Sequence, residues 1–277
     1  MKKIVFLHGF YASGQCVPAV ALREAFAGRA EVITPDLPMH PKEAVGYIRE
    51  LIGDVKPDLL IGNSCGAFYA QMVAPVVGIP ALLGNPHFQM TEFLKQRIGE
   101  HEYKSPRKDG NQKFVIDESL INEFAEMEAI QFDSCHPDFR DRIWGLFGEK
   151  DTLAHFEPLF LEHYNHSFHF PGGHTPTAED VRAWYVPLAE KLLQIERIKQ
   201  MEQRFNKALA VVHGVRTSPE MLEAIKEDVA ILDAYYGSGE WRQDFADDEA
   251  GLLPKELKRG VLSEDGLWNL LSAYREW

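Results

Sequence analysis

Asp58-Leu59-Leu60-Ile61-Gly62-Asn63-Ser64-Cys65-Gly66-Ala67, continuing into Phe68-Tyr69-Ala70-Gln71-Met72-Val73, is the stretch on which the reading of the chain turns. Leu59, Leu60 and Ile61 form an apolar run. Gly62 and Gly66 stand two residues either side of Ser64, and an apolar helical pattern follows. The segment reads as a buried strand, a sharp turn and a helix. In so tight a turn the two glycine positions have no room for side chains, and the serine is forced into a strained conformation that exposes its hydroxyl. The Gly-x-Ser-x-Gly pattern alone carries little weight, because about 0.1 chance matches are expected in a chain of this length. Its weight comes from the strand-to-helix setting and from residues elsewhere in the sequence.

Upstream, residues 3–7 read as a short strand that runs into the glycine-rich loop His8-Gly9-Phe10-Tyr11-Ala12-Ser13-Gly14. A helix is predicted over 17–27 with Gly28 as its stop, a strand over 31–34, and a helix from Pro41 to about 52 closed by Gly53. Downstream, the helix after Ser64 extends to about 77 and a further strand covers 80–84. Near-continuous apolar strands alternating with helices predict a parallel sheet covered on both faces. Ligands of such sheets sit at the carboxyl ends of the strands. His8 and Ser64 both fall just past strand ends, on that one edge.

Residues 86–140 break the rhythm. A helix is predicted over 91–98, a polar basic loop over 104–113, and a helix over 118–129 with Asp117 as its N-cap. An insertion between two sheet strands is expected to form a small lid over the active edge. The rhythm resumes with a strand over 142–148, a helix over 156–164, a strand over 167–170 and Pro171-Gly172-Gly173-His174. The next helix starts near Thr177, with Asp180 completing a capping box, and runs through 195. The α/β domain is thus placed at 1–195. No strand is evident beyond it, and 196–277 is expected to be a separate all-α domain. Helices are predicted there over 198–212 and 219–235, with a turn over 235–241, an acidic stretch over 244–250 and a last helix capped by Ser263.

The chain has 277 residues, 45% hydrophobic and 26% charged, with a net charge of −13. That balance suits a globular protein with a substantial core. The acidity argues against nucleic acid or an anionic membrane surface as partner. The N-terminus lacks the apolar length and small-residue cleavage site of a signal peptide, and no stretch is long and apolar enough to span a bilayer. Cys16, Cys65 and Cys135 show no Cys-x-x-Cys spacing. A reduced, cytoplasmic protein without disulfide, metal or cofactor is expected.

A serine hydroxyl is a poor nucleophile until a base takes its proton. Downstream of Ser64, Asp151 follows the strand ending at 147 and His174 follows the strand ending at 170. His174 is the candidate base and Asp151 the acid that holds its ring. Glu149 competes with Asp151. His169 competes with His174, but alternation within Phe168-His169-Phe170 puts it on a sheet face. The spacing of His163, His166 and His169 invites a metal reading, which a helix end followed by a strand does not support. A developing oxyanion needs two N–H donors. Cys65, at the head of the helix after the turn, is one, so its backbone matters more than its sulfur. Phe10 in the loop after the first strand is the other, with Tyr11 as alternative. His8 is expected to fix that loop rather than act as a base. Tyr11, Phe88, Phe93 and Phe124 are candidates to line a substrate pocket, although Phe88, Phe93, Leu94, Leu120 and Phe124 have the periodicity of lid core as well. The basic loop 104–113 is either solvated or in contact with a phosphate-bearing substrate such as an acyl-CoA.

Taken together, His8-Gly9-Phe10, Gly62-Asn63-Ser64-Cys65-Gly66, Asn85-Pro86, Gly148-Glu149-Lys150-Asp151 and Gly173-His174 resemble the small bacterial YqiA-type esterases, a compact branch of the α/β-hydrolases, over roughly residues 1–192. The resemblance implies hydrolysis of carboxylic esters or acyl-CoA thioesters, with Ser64, Asp151 and His174 as the matching triad. The tail, through 235–241 and 251–266, is similar to a bacterial domain of unknown function. That domain implies no activity and leaves open whether 196–277 covers the active site, recruits a partner or dimerises the protein. The competing reading is an interaction protein acting through this tail, with the hydrolase fold as scaffold.

Overall fold

The computed structural model describes every residue except Val215. Contacts divide the chain into two compact units, Met1–Glu190 and Lys191–Trp277. The first runs β1 (Lys2–Leu7), α1 (Val17–Ala25), β2 (Ala30–Ile33), α2 (Pro41–Val55), β3 (Leu59–Asn63), α3 (Cys65–Val77), β4 (Ala81–Gly84), α4 (Met90–Lys95), β5 (Gly99–Glu102), β6 (Lys113–Ile116) and α5 (Glu118–Ala129). It continues through β7 (Ile143–Gly148), α6 (Glu157–His163), β8 (His166–Phe170), α7 (Ala178–Asp180) and a π-helical turn, Val181–Tyr185. The helix that follows, α8 (Val186–Val212), carries the chain from the first unit into the second.

Six strands make one parallel sheet in the order β2-β1-β3-β4-β7-β8. Every residue of β3 and β4 is buried, as expected of central parallel strands covered on both faces. Their hydrophobic runs supply the main driving force, since each fully buried Leu or Ile contributes about 1.5–3 kcal/mol before entropy is counted. The sheet carries the strands' carboxyl ends to one edge, and the loops after β1, β3, β4, β7 and β8 all open there.

The insertion between β4 and β7 differs from expectation. The helix expected to reach 98 stops at Lys95, and Gly99, at φ +131°, turns the chain into an antiparallel hairpin, β5 against β6. Along β6, Phe114 and Ile116 face inward and alternate with exposed Lys113 and Val115. α5 covers Glu118–Ala129, and the Asp117 carboxylate caps it by accepting the Leu120 N–H at 2.9 Å.

Among its described residues the second unit has helices and no strand: the last part of α8, then α9 (Pro219–Ala224), α10 (Lys226–Tyr236), α11 (Gly239–Glu249) and α12 (Glu264–Arg275). The helix expected over 219–235 is broken at Ile225. The acidic stretch after Trp241 belongs to α11, because the Ser238 hydroxyl accepts the Trp241 N–H at 3.0 Å and starts a helix there. Its centre is a fully buried carboxylate, Asp244. It accepts from Arg197 (2.9 and 2.6 Å), Gln194 (2.9 Å) and the Tyr235 hydroxyl (2.6 Å). A buried charge is tolerated when it is paired and hydrogen-bonded in this way.

Candidate active site

Ser64 sits between β3 and α3 at φ 55°, ψ −120°, a left-handed conformation that costs a non-glycine residue about 1–3 kcal/mol. The flanking glycines explain how the turn closes. A Cβ on Gly62 would lie 2.4 Å from the Gly66 carbonyl oxygen, and one on Gly66 would lie 2.0 Å from that of Leu7. Held in this turn, the serine hydroxyl makes no capping hydrogen bond to α3.

The loops after β7 and β8 bring two more groups to this hydroxyl. His174 Nε2 lies 2.8 Å from Ser64 Oγ, and His174 Nδ1 lies 2.8 Å from Asp151 Oδ2. The carboxylate only accepts, so Nδ1–H donates to it, and Nε2 is left to accept the serine proton. The other Asp151 oxygen accepts the N–H groups of Leu153 (2.7 Å) and Ala154 (3.1 Å). Burial works against the Asp151 charge, but the hydrogen bonds from His174, Leu153 and Ala154 outweigh it and hold the carboxyl below its ordinary value. Glu149 is exposed on the same loop. His169 bonds Glu157 at 2.9 Å and not the serine. His166 pairs with Asp141 and His163 stacks on Phe132, so the three histidines at that spacing go to different partners.

The remaining candidates divide. Gly9 approaches Ser64 closely enough that a Cβ there would touch the serine at 3.4 Å, which brings the loop after β1 to the hydroxyl. Within it, the Phe10 N–H has no acceptor among the described residues. The Cys65 N–H, at the first position of α3, has none within the helix. Cys65 itself is buried, and burial pushes its thiol up to about 12, which leaves it un-ionised and inert. His8 fixes the loop: its Nε2 accepts the Leu37 N–H at 3.0 Å and its Nδ1–H donates to the Gly9 carbonyl at 2.9 Å. Burial lowers its pKa to about 4, so the ring is neutral.

A cavity of about 600 Å³ opens beside Ser64 and His174, with Tyr11 and Phe93 in its wall. Phe88 and Phe124 are not in that wall and correct the expectation. Both are fully buried in the hydrophobic core, Phe88 against Phe132 and Phe156, and Phe124 against Phe10, Phe68 and Tyr69. Of the basic loop, Lys104 reaches the cavity, whereas Arg107 turns away to Asp109 and the Leu37 carbonyl.

Two residues at this edge escaped the reading of the sequence as site residues. Asn85, buried at φ 42°, donates to the carbonyls of Gly173 (2.9 Å) and His174 (3.0 Å) and accepts the Gly148 N–H (2.7 Å). His87 lines the cavity, buried between the rings of Phe93 and Phe156, with no hydrogen-bond partner on its Nδ1 among the described residues. Burial and the neighbouring His174 lower its pKa to about 4. Both follow directly on β4, and the rule that ligands gather past strand ends was the signal that would have flagged them.

A parallel sheet with helices on both faces, the strained serine after its third strand and the histidine after its last define an α/β-hydrolase fold. Solved structures of that fold align with the chain. Est1E from Butyrivibrio proteoclasticus matches at 15% identity and TM-score 0.52, covering 69% of this chain and 88% of that one. The esterase domain of a Rhodothermus marinus protein (15%, TM-score 0.51, 69% and 86%) and a monoacylglycerol lipase from Paleococcus ferrophilus (15%, 0.50, 69% and 93%) align likewise. The chain belongs to the Uncharacterised protein family UPF0227, which matches residues 3–163, and this is the family to which the YqiA-type resemblance pointed. Residues 198–277 match a domain of unknown function, DUF4298. Among the described residues, no helix is long and apolar enough to cross a membrane.

Proposed function

We propose that the Met1–Glu190 unit is a serine hydrolase that cleaves carboxylic esters or acyl thioesters through an acyl-enzyme. The observation that carries this reading is the unbroken chain from Ser64 Oγ through His174 to Asp151, two bonds of 2.8 Å at the mouth of a cavity. His174 takes the serine proton as Oγ attacks the acyl carbon. Asp151 stabilises the imidazolium that forms and keeps the ring in the orientation the transfer needs. The N–H groups of Phe10 and Cys65 receive the developing oxyanion, helped by the positive end of α3. His174 then returns its proton to the leaving alcohol or thiol, and water repeats the sequence on the acyl-enzyme. Tyr11 and Phe93 border the bound acyl or alcohol group. The structural likeness to an esterase domain and a monoacylglycerol lipase favours esters among acyl compounds.

The test is labelling of the folded protein with a fluorophosphonate, together with hydrolysis of p-nitrophenyl butyrate. Labelling at Ser64 and loss of both labelling and turnover in Ser64→Ala are expected. Undiminished hydrolysis by Ser64→Ala would refute the assignment.

A further inference from the structure

The cavity beside Ser64 has a charge bias that the triad does not require. The chain holds 42 acidic residues against 29 basic ones, yet among the described residues no Asp or Glu lines this cavity, while Arg97 and Lys104 do. Neither cation has a carboxylate partner among the described residues. The Arg97 guanidinium lies 3.9 Å from the centre of the Phe93 ring and gives one donor to the Phe93 carbonyl at 2.6 Å. The Lys104 ammonium stands 5.5 Å over the Tyr11 ring, and its backbone N–H is tied to the Tyr11 carbonyl at 2.8 Å. Tyr11 and Phe93 themselves meet edge to face at 6.3 Å. One aromatic pair in the cavity wall therefore carries both cations. Among the described residues, Arg97 keeps most of its five donors, and Lys104 all three of its ammonium protons, unused.

A cation resting on an aromatic ring is attracted by the ring's quadrupole, so stacking alone accounts for where each side chain lies. It does not account for the absence of acids from the lining of a chain with net charge −13. Asp151, the carboxylate behind His174, is taken up by that ring and two backbone N–H groups, so the two cations of the lining give the cavity a positive bias that a neutral acyl chain cannot use and an anion can.

We propose that the substrate is an anionic ester, carrying a carboxylate or a phosphate that binds between Arg97 and Lys104 while its acyl carbon faces Ser64. The planar guanidinium suits two oxygens of such a group side by side, and the ammonium supplies a second point of charge. This inference rests on the serine-hydrolase reading, so its test separates the two.

The full-length protein is assayed on matched pairs of esters. p-Nitrophenyl butyrate is set against mono-p-nitrophenyl glutarate, which places a carboxylate on the acyl arm. Butyrylglycerol is set against butyrylglycerol phosphate, which places a phosphate on the alcohol arm. The quantity read is the ratio of kcat/KM for the charged ester to that for its neutral partner. Removing a charge-assisted contact is expected to lower that ratio at least about tenfold in Arg97→Gln and again in Lys104→Gln, through KM, in one of the two pairs. The pair that responds tells carboxylate from phosphate. A ratio that neither substitution changes in either pair overturns the proposal and leaves the esterase reading intact. Calorimetric titration of the wild-type protein with glutarate and with glycerol phosphate reads the subsite without turnover. Binding of either anion, weakened in the double variant, supports the subsite even if no ester is cleaved. No binding and no charge preference overturns it.

Discussion

Asp151 divides its two oxygens between two tasks. One accepts the Leu153 and Ala154 N–H groups, which leaves the other for His174. That division decides what an amide does in its place. In Asp151→Asn the amide oxygen stays on the two backbone donors, so the NH2 group faces His174 Nδ1. The ring then accepts there and carries its proton on Nε2, pointing at Ser64, where it can no longer act as a base. A fall in kcat of about 10⁴ is expected for p-nitrophenyl butyrate, the size seen when a triad acid is changed this way elsewhere. Glu149→Gln, on an exposed side chain, is expected to change kcat by less than about twofold, since surface groups make small contributions. Equal losses in the two variants would reassign the acid. At this scale the serine, the histidine and the pair of candidate acids that the strand ends bring together were legible in the sequence, because each follows a strand that periodicity reveals. The choice between Glu149 and Asp151 was not legible, because it depends on the turn in which the Asp151 N–H returns to the Gly148 carbonyl at 3.0 Å. His87 shows the opposite failure. Its position past β4 was visible, but a histidine beside a proline carries no pattern of its own.

Three strand ends must hold still for the triad to form, and Asn85 ties them. It continues β4, accepts from the end of β7 and donates to the two carbonyls of the histidine loop. Asn85→Asp keeps the acceptor and the shape but sets a carboxylate against two carbonyl oxygens. Stability is expected to fall by about 1–3 kcal/mol for the two orphaned acceptors. kcat should drop about tenfold or more as His174 loses its position, since small misplacements in a site are costly. Unchanged kcat, with circular dichroism confirming the fold, would remove Asn85 from the site's support. The insertion gives a second check at this scale. Phe124 lies in its core rather than in the cavity wall, so Phe124→Ala should lower stability by about 3–5 kcal/mol without altering preference among p-nitrophenyl esters of different chain length. A shift in that preference would return Phe124 to the pocket. The parallel strands were readable because each is a compact apolar run with a helix after it. The β5–β6 hairpin was not, because strands of four residues with one exposed face leave only Phe114 and Ile116 as a period-two signal. α11 was missed for a similar reason, Gly237 and Gly239 masking the cap at Ser238.

Across the hydrolase unit, the same burial that assembles the site sets a dependence of stability on pH. His8 and His87 have folded-state pKa values of about 4, below the ordinary 6.5, and burial lowers His163 as well. Between those values the unfolded chain binds protons that the folded one refuses. Stability is therefore full above about pH 6.5 and is lost as pH falls toward 4, by about 1.4 kcal/mol per pH unit for each of His8 and His87. Glu128, whose carboxyl is raised by burial, works in the opposite sense over part of this range. Asp151, held low, adds its own loss only below it. His8 is bonded at both nitrogens and anchors the loop after β1, so its replacement would confound the measurement. His87 has an unbonded Nδ1 between two phenylalanine rings, and His87→Phe removes the titrating group while filling much the same space. Amide hydrogen exchange of β1, β3 and β4, followed from pH 7 to pH 5, reports the opening of this unit without contribution from Lys191–Trp277. The opening free energy of the wild type is expected to fall with pH. In His87→Phe the slope should be shallower by about 1.4 kcal/mol per pH unit, so that the variant gains on the wild type as acid is added. Parallel slopes would mean that His87 takes up its proton in the folded protein as readily as in the unfolded one.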